Sequence, residues 1–565
     1  MSINMNICLE YTILFKSEKE NVEELLKGVP REIVYKCAAH HIMKQLFNED
    51  QFNVFGSLDY WFSQKNNEYK KEILQLINIH YNGKTENLSL IHPLSNLKII
   101  QYCLNLQPHS DIVLTEDEYE IILFKTYLII NEEITNQFKQ TLDFKNEKYS
   151  NIGPEVVVFS TAFKMAELFH YNFASEFFCQ MVKLSFFYRF VCSKDELKIH
   201  HDEFLNLYNV TSINEYAGRF ISFIPQITNS NKHGYLEITN NNEDSRLFLE
   251  KISNDVIKIE EDHDFKSVRD CPLIKIEEGK YLIAHPLFLI NKFFKSIYFD
   301  FNTINSKLIK SNQSKITEFR SFYTTNFSQR FLLEEVLGYS LKNKYLKING
   351  DVLDKINSSP DYYIREGNKV ILIENKDTYF SAKIKESEDF EEVIKELSEK
   401  LFVKSTGKKS AIKQLVNNII QVLDYKNEFD RDYKPNNLKI YPVIIVHDIF
   451  YNTPGLNKIV LKWFNDELVS NNEFIKEPFL KNINPLLIIN IDSIIRSAEL
   501  LRTNNITLFE ILNNCIDKMY LNERSNRSKL EKGMYPTFKI IEEQINHRCK
   551  TLVQNNKIMD FAFSL

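Results

Sequence analysis

Glycine and proline are scarce, at 13 and 14 of 565 residues. Such a chain has little material for tight turns and is expected to be built from long regular elements, mainly helices. Its eight cysteines, Cys8, Cys37, Cys103, Cys179, Cys192, Cys271, Cys515 and Cys549, contain no Cys-x-x-Cys pair and no spacing suited to zinc, so they read as buried thiols. The only histidine pairs, His40-His41 and His200-His201, lack His-Glu-x-x-His or any other ligand spacing and read as surface or capping residues. No apolar run reaches about 18 residues and no charged-then-apolar segment opens the chain, which points to a soluble, cytoplasmic protein without a membrane partner. An excess of positive charge is also missing: the net charge of −6 gives the chain as a whole no attraction to nucleic acid. A local groove holding a cation can still bind a polyanion, because affinity follows the local field.

What is present is apolar and aromatic, 44% and 13% of residues, enough for sizeable cores in two to four units. The densest chemistry lies between Ser358 and Lys376. Tyr362 to Arg365 and Val370 to Ile373 are short β-branched or aromatic runs on either side of Gly367-Asn368, the pattern of a hairpin. With Gly367 and Asn368 at the centre of the turn, Glu366 pairs with Lys369 and Asp361 falls opposite Glu374. Residues directly opposite have Cβ atoms roughly 4.5–5.5 Å apart, close enough for two carboxylates to share a divalent cation. Lys376, two residues beyond Glu374, projects from the same face, while Asn375 points to the other. The plain alternative is a solvated strand end.

Pro360-Asp361 followed, after an apolar strand, by Glu374-Asn375-Lys376 resembles the signature of the PD-(D/E)xK nuclease superfamily. The resemblance implies an α/β (α+β) restriction-endonuclease-like mixed sheet flanked by helices, here preceded by a large, mainly α-helical N-terminal region. It implies Mg²⁺, with Mn²⁺ as a substitute, held by Asp361, Glu374 and the carbonyl of Asn375, and Lys376 acting on the attacking water with its pKa lowered by partial desolvation. It further implies a glutamate on a preceding helix, for which Glu334 or Glu335 is available, Glu335 being preferred. In some branches it implies a Gln-x-x-x-Tyr on the following helix, which Gln421 and Tyr425 match.

The residues themselves support a helix from Ser410 to Tyr425, apolar on one side and carrying Gln414, Asn418, Gln421 and Tyr425 as a polar stripe on the other. Amides and a phenol there suit phosphates or bases; the alternative is a solvent face. The preceding loop, with Lys404, Lys408 and Lys409, is no P-loop, because position 402 is Phe where that motif requires glycine. A basic loop entering a helix can nonetheless grip a phosphate.

In order, residues 1–230 read as a helical domain, 231–320 as a small α+β connecting region with a hairpin across Glu278-Gly279, 321–500 as the nuclease-like domain and 501–565 as a helical extension. The function expected is Mg²⁺-dependent hydrolysis of phosphodiester bonds, in DNA before RNA, with bacterial defence against foreign DNA as its setting. The helical N-terminal region is expected to recognise a partner protein or substrate, to form a homo-oligomer, or to support the nuclease core. The alternative is a catalytically inactive nuclease-like module that binds nucleic acid or protein in a larger complex.

Overall fold

The computed structural model describes residues 7–47, 54–81, 88–106, 114–141, 153–168, 173–229, 234–240, 242–254, 262–353, 355, 359–387, 389–403, 410–424, 429–471, 480–521, 536–548 and 556–563. The chain forms two compact units and passes between them more than once: the first comprises Met1–Asp143 and Asp202–Ile297, the second Phe144–His201 and Tyr298–Leu565. This differs from the expected division into four consecutive regions. Helical periodicity reports that a face is apolar without saying which partner covers it, so segment 144–201 could not be assigned away from its neighbours in sequence. Among the described residues no helix is long and apolar enough to cross a membrane.

The first unit is mainly helical. It contains a parallel pair, β1 (Ile7–Cys8) with β2 (Leu88–Ser89). It also contains a four-stranded sheet in the order β3 (Glu237–Thr239), β6 (Lys280–Ile283), β5 (Leu273–Glu277), β4 (Ser253–Asn254). The β5–β6 hairpin is the one expected across Glu278-Gly279, with Gly279 at φ +73°. Neither expected role fits His41, whose ring stacks on Trp61 at 5.1 Å and meets Tyr127 edge-on at 6.0 Å.

The second unit is built on a five-stranded mixed sheet, in the order β11 (Leu487–Asn490), β10 (Lys439–Val446), β9 (Lys369–Lys376), β8 (Tyr362–Glu366), β7 (Leu346–Ile348). β7, β8 and β9 are antiparallel neighbours, and β9, β10 and β11 run parallel. Helices cover the sheet, which agrees with the α+β class. Glu366 pairs with Lys369 and Tyr362 with Ile373, the register read from the sequence. Gly367 alone carries the positive φ of the turn, +59°, as suits glycine at the first central position.

β9 is central, and Val370–Ile373 is buried on both faces. Val370 and Leu372 lie in a core shared with Ile440 and Ile444 of β10, with Ile412, Leu415 and Ile419 of the Ala411–Leu423 helix, and with Phe159 and Phe163 of the Pro154–Phe163 helix. Because side chains alternate across a strand, Glu374 and Lys376 continue this same face beyond the apolar residues. Pro442 sits inside β10, where a missing N–H would normally break a ladder. There the pairing with the β11 segment slips by one residue, from Ile440↔Ile483 to Val443↔Leu487, so the proline coincides with a bulge in its neighbour.

Candidate active site

The Ala411–Leu423 helix runs antiparallel to β9, and the two match in pitch. Four helical residues rise about 6 Å and two strand residues about 6.6 Å, so an i, i+4 pair on the helix faces an i, i+2 pair on the strand. Gln414 meets Lys376 and Asn418 meets Glu374. Lys376 Nζ donates to Gln414 Oε1 at 3.1 Å and to Glu374 Oε2 at 3.3 Å. Asn418 Nδ2 donates to Glu374 Oε1 at 3.2 Å, and Asn418 is only 2% exposed. The polar stripe is thus partly buried against the sheet.

Asp361 lies one residue before β8 and closes the cluster from the other strand. Its Oδ2 accepts the Asn375 backbone N–H at 2.7 Å, and its Oδ1 accepts from Gln329 Nε2 at 2.8 Å. Glu374 is 1% exposed. Burial and the nearby Asp361 charge push its pKa up to about 8, against the opposing pull of Lys376 and Asn418. For Lys376 burial acts to lower the pKa, but Glu374 and Asp361 outweigh it and the ammonium is held above its ordinary value. The expected lowering is therefore reversed: two carboxylates beside one ammonium stabilise its proton more than partial desolvation weakens it.

Other expected members fall elsewhere. Glu335 is turned to Arg189, whose Nη2 lies 3.5 Å from its carboxylate, and so it does not join the acids. Glu334 accepts from Asn349 Nδ2 at 2.8 Å and from the Gly350 N–H at 3.2 Å, in the stretch between β7 and Asp361. The cause is winding. Tyr323–Leu333 is a π-helical stretch, so faces projected along it at the α-helical period do not hold, and Gln329 is the residue presented to Asp361. Gln421 is half-buried one turn past Asn418, where the antiparallel helix has moved on from Glu374 towards Leu372. Tyr425, Lys404, Lys408 and Lys409 lie outside the described residues. The Asn375 side chain is engaged on the opposite face, its Oδ1 at 2.8 Å from His447 Nε2, which leaves the main-chain carbonyl as what Asn375 would offer a cation.

That opposite face carries a second buried polar group. Asp377 accepts from Arg320 Nη2 at 3.2 Å on Oδ1 and from the Ser328 hydroxyl on Oδ2, and its backbone carbonyl also accepts from Arg320. Ser328 and Gln329, consecutive in the π-helical stretch, therefore clasp both sides of the β9 end. Sequence reasoning missed Gln329, Arg320 and Ser328, since no local motif marks them.

Among the described residues no group of three or more His, Cys, Asp and Glu side chains gathers as a metal cage. Asp361 and Glu374 supply two carboxylates, the donor set suited to Mg²⁺, which keeps several waters and takes one or two carboxylates along with substrate phosphates. The electrostatics fit as well: Glu374, its pKa pushed up to about 8, largely keeps its proton near neutral pH, and a divalent cation beside both acids would favour its ionised form. Compared with protein-family models, curated proteins and solved structures, the chain matches none.

Proposed function

We propose that the second unit is a divalent-cation-dependent nuclease that hydrolyses phosphodiester bonds, with DNA as the first substrate to test. The observation that carries this reading is the convergence of Asp361, Glu374 and Lys376 on one face at the end of β9, steadied by Gln414 and Asn418. When bound, Mg²⁺ would neutralise charge on the scissile phosphate and favour ionisation of water. Asp361 and Glu374 would hold it, with the Asn375 carbonyl as a further oxygen.

Lys376 supplies positive charge that Gln414 holds in place, and its ammonium is suited to orient the attacking water and offset charge that develops on the phosphoryl oxygens. Gln329 and the Asn375 N–H fix the Asp361 carboxylate, and Asn418 fixes Glu374. The test is incubation of the purified protein with plasmid, single-stranded DNA and RNA, in Mg²⁺, Mn²⁺ or EDTA. Cleavage that needs the cation and falls at least about 100-fold in Lys376→Ala is expected; undiminished cleavage by that variant removes Lys376 from the chemistry.

One observation favours a second reading, an inactive module that binds nucleic acid or protein. All four carboxylate oxygens of Asp361 and Glu374 already have a protein donor: Gln329, the Asn375 N–H, Asn418 and Lys376. A cluster so satisfied can stand without a cation. Binding without cleavage in either Mg²⁺ or Mn²⁺ would decide for it.

A further inference from the structure

The residue between Glu374 and Lys376 serves the acid cluster with its backbone while its side chain points away from it. In a strand the N–H and C=O of one residue leave by the same edge. The Asn375 N–H is bonded to Asp361 Oδ2 at 2.7 Å, so the Asn375 carbonyl is directed to that same β8 edge, where Asp361 closes the cluster. A tilt of this one residue in the strand therefore moves two things together, the Asp361 carboxylate and the oxygen offered to a cation.

What fixes the tilt lies on the far face of the sheet. β10 runs beside β9 as far as Val446 opposite Lys376, which puts His447 one step beyond, on the face that Asn375 and Asp377 share. His447 Nε2 lies 2.8 Å from Asn375 Oδ1. An amide oxygen only accepts, so Nε2 carries the proton of this bond. Asn375 is 6% exposed, so little water competes for its amide, and His447 is the one side chain among the described residues that bonds it. Asp377, next on that face, is anchored separately by Arg320 and Ser328. We infer that His447 is a positioning residue for the cation site: acting through Asn375, it pins from the far face the residue whose N–H holds Asp361 and whose carbonyl faces the cation. This rests on the nuclease reading and adds to it a residue that touches neither cation nor phosphate. Partners of this kind, one bond removed from the ligands, hold about 10- to 100-fold of a site's metal affinity.

The test titrates the full chain with Mn²⁺, which takes the same oxygen donors as Mg²⁺ and whose free ion is counted by paramagnetic resonance. No nucleic acid is present. His447→Ala is expected to weaken Mn²⁺ binding about 10- to 100-fold and Asn375→Ala about as much. The double variant should be no weaker than either single one, because both changes break the same path. His447→Gln, which keeps an N–H donor, should bind like the parent. Each variant is also melted without the ion. If His447→Ala shows no cooperative melt, Asn375→Ala decides, and parent-like binding by it overturns the inference. Parent-like binding by His447→Ala, losses that multiply in the double variant, or a loss in His447→Gln as large as in His447→Ala overturns the positioning role and leaves the nuclease reading in place. If the parent binds no Mn²⁺, the nuclease reading falls and the inference falls with it.

Discussion

At Glu374 two costs meet, loss of water and the repulsion of Asp361, and only Lys376 offsets them with a full charge. Removing that ammonium strands the acids. Breaking a fully buried pair costs about 3–5 kcal/mol; with the Lys376 side chain 19% exposed, Lys376→Ala is expected to cost somewhat less, about 2–3 kcal/mol. If the acids hold a cation, added Mg²⁺ should raise the melting temperature of Lys376→Ala more than that of the parent. It should raise that of an Asp361→Ala/Lys376→Ala double variant least. Calorimetry with and without Mg²⁺ checks this independently of any cleavage assay, and equal shifts in all three proteins would count against cation binding. At this scale Asp361, Glu374 and Lys376 were legible because a strand's two-residue alternation and a short turn leave no freedom of register. Gln329 was not, because its presentation depends on π winding, which no residue pattern announces.

Among the elements, the hairpin of β8 and β9 was the most readable, its register following from Gly367-Asn368 and the apolar run. The stretch from Val156 to Cys192 is apolar at helical steps almost throughout, yet it forms two helices, Pro154–Phe163 and Phe173–Cys192, since spacing alone does not report where one helix stops and the next begins. The first of these packs hard against the entry to another. Gly455, preceding the Leu456–Ser470 helix, has φ +87°, and a Cβ there would stand 2.5 Å from the Glu155 carbonyl oxygen. Both the left-handed conformation and the backbone contact oppose a side chain, so Gly455→Ala should destabilise the second unit by about 2–3 kcal/mol. Chemical denaturation followed by Trp463 fluorescence measures it, and a cost below about 0.5 kcal/mol would show that the close approach relaxes freely. The helix–strand pitch match that pairs Gln414 with Lys376 and Asn418 with Glu374 was half legible. The polar stripe stood out in the sequence, but the direction of the helix over β9 decided that its first half, and not Gln421, meets the acids.

For the whole molecule, the two units should respond differently to pH. Burial, with the charges of His40 and Lys44, lowers the pKa of His41 to about 3, and burial lowers that of His92 to about 4; both residues belong to the first unit. Below about pH 6.5 the unfolded chain takes up protons at these sites that the folded unit refuses, so stability is lost as pH falls. Each histidine contributes about 1.4 kcal/mol per pH unit until its folded value is reached. The transition seen by Trp61, which stacks on His41, should therefore move to lower denaturant between pH 6.5 and 5; an unchanged midpoint would mean that these rings are not held neutral by the fold. The units are also not separable by a single cut. A fragment spanning 321–500, the boundaries read from the sequence, omits Phe159 and Phe163, which lie in the core of the five-stranded sheet. It is expected to bind hydrophobic dye and lack a cooperative melt, and adding 144–201 with the rest of 298–565 should restore one. Boundaries of this kind escape a linear reading because composition changes little where the chain crosses over.

The crossing of the chain between units also sets an order of events during synthesis. Phe144–His201 leaves the ribosome well before the strands it must cover, with all of 202–297 in between. At about 5–20 residues per second that interval is on the order of ten seconds. Throughout it Phe159 and Phe163 of the Pro154–Phe163 helix have no sheet to rest against, so their apolar rings are open to non-native contacts until β8, β9 and β10 emerge.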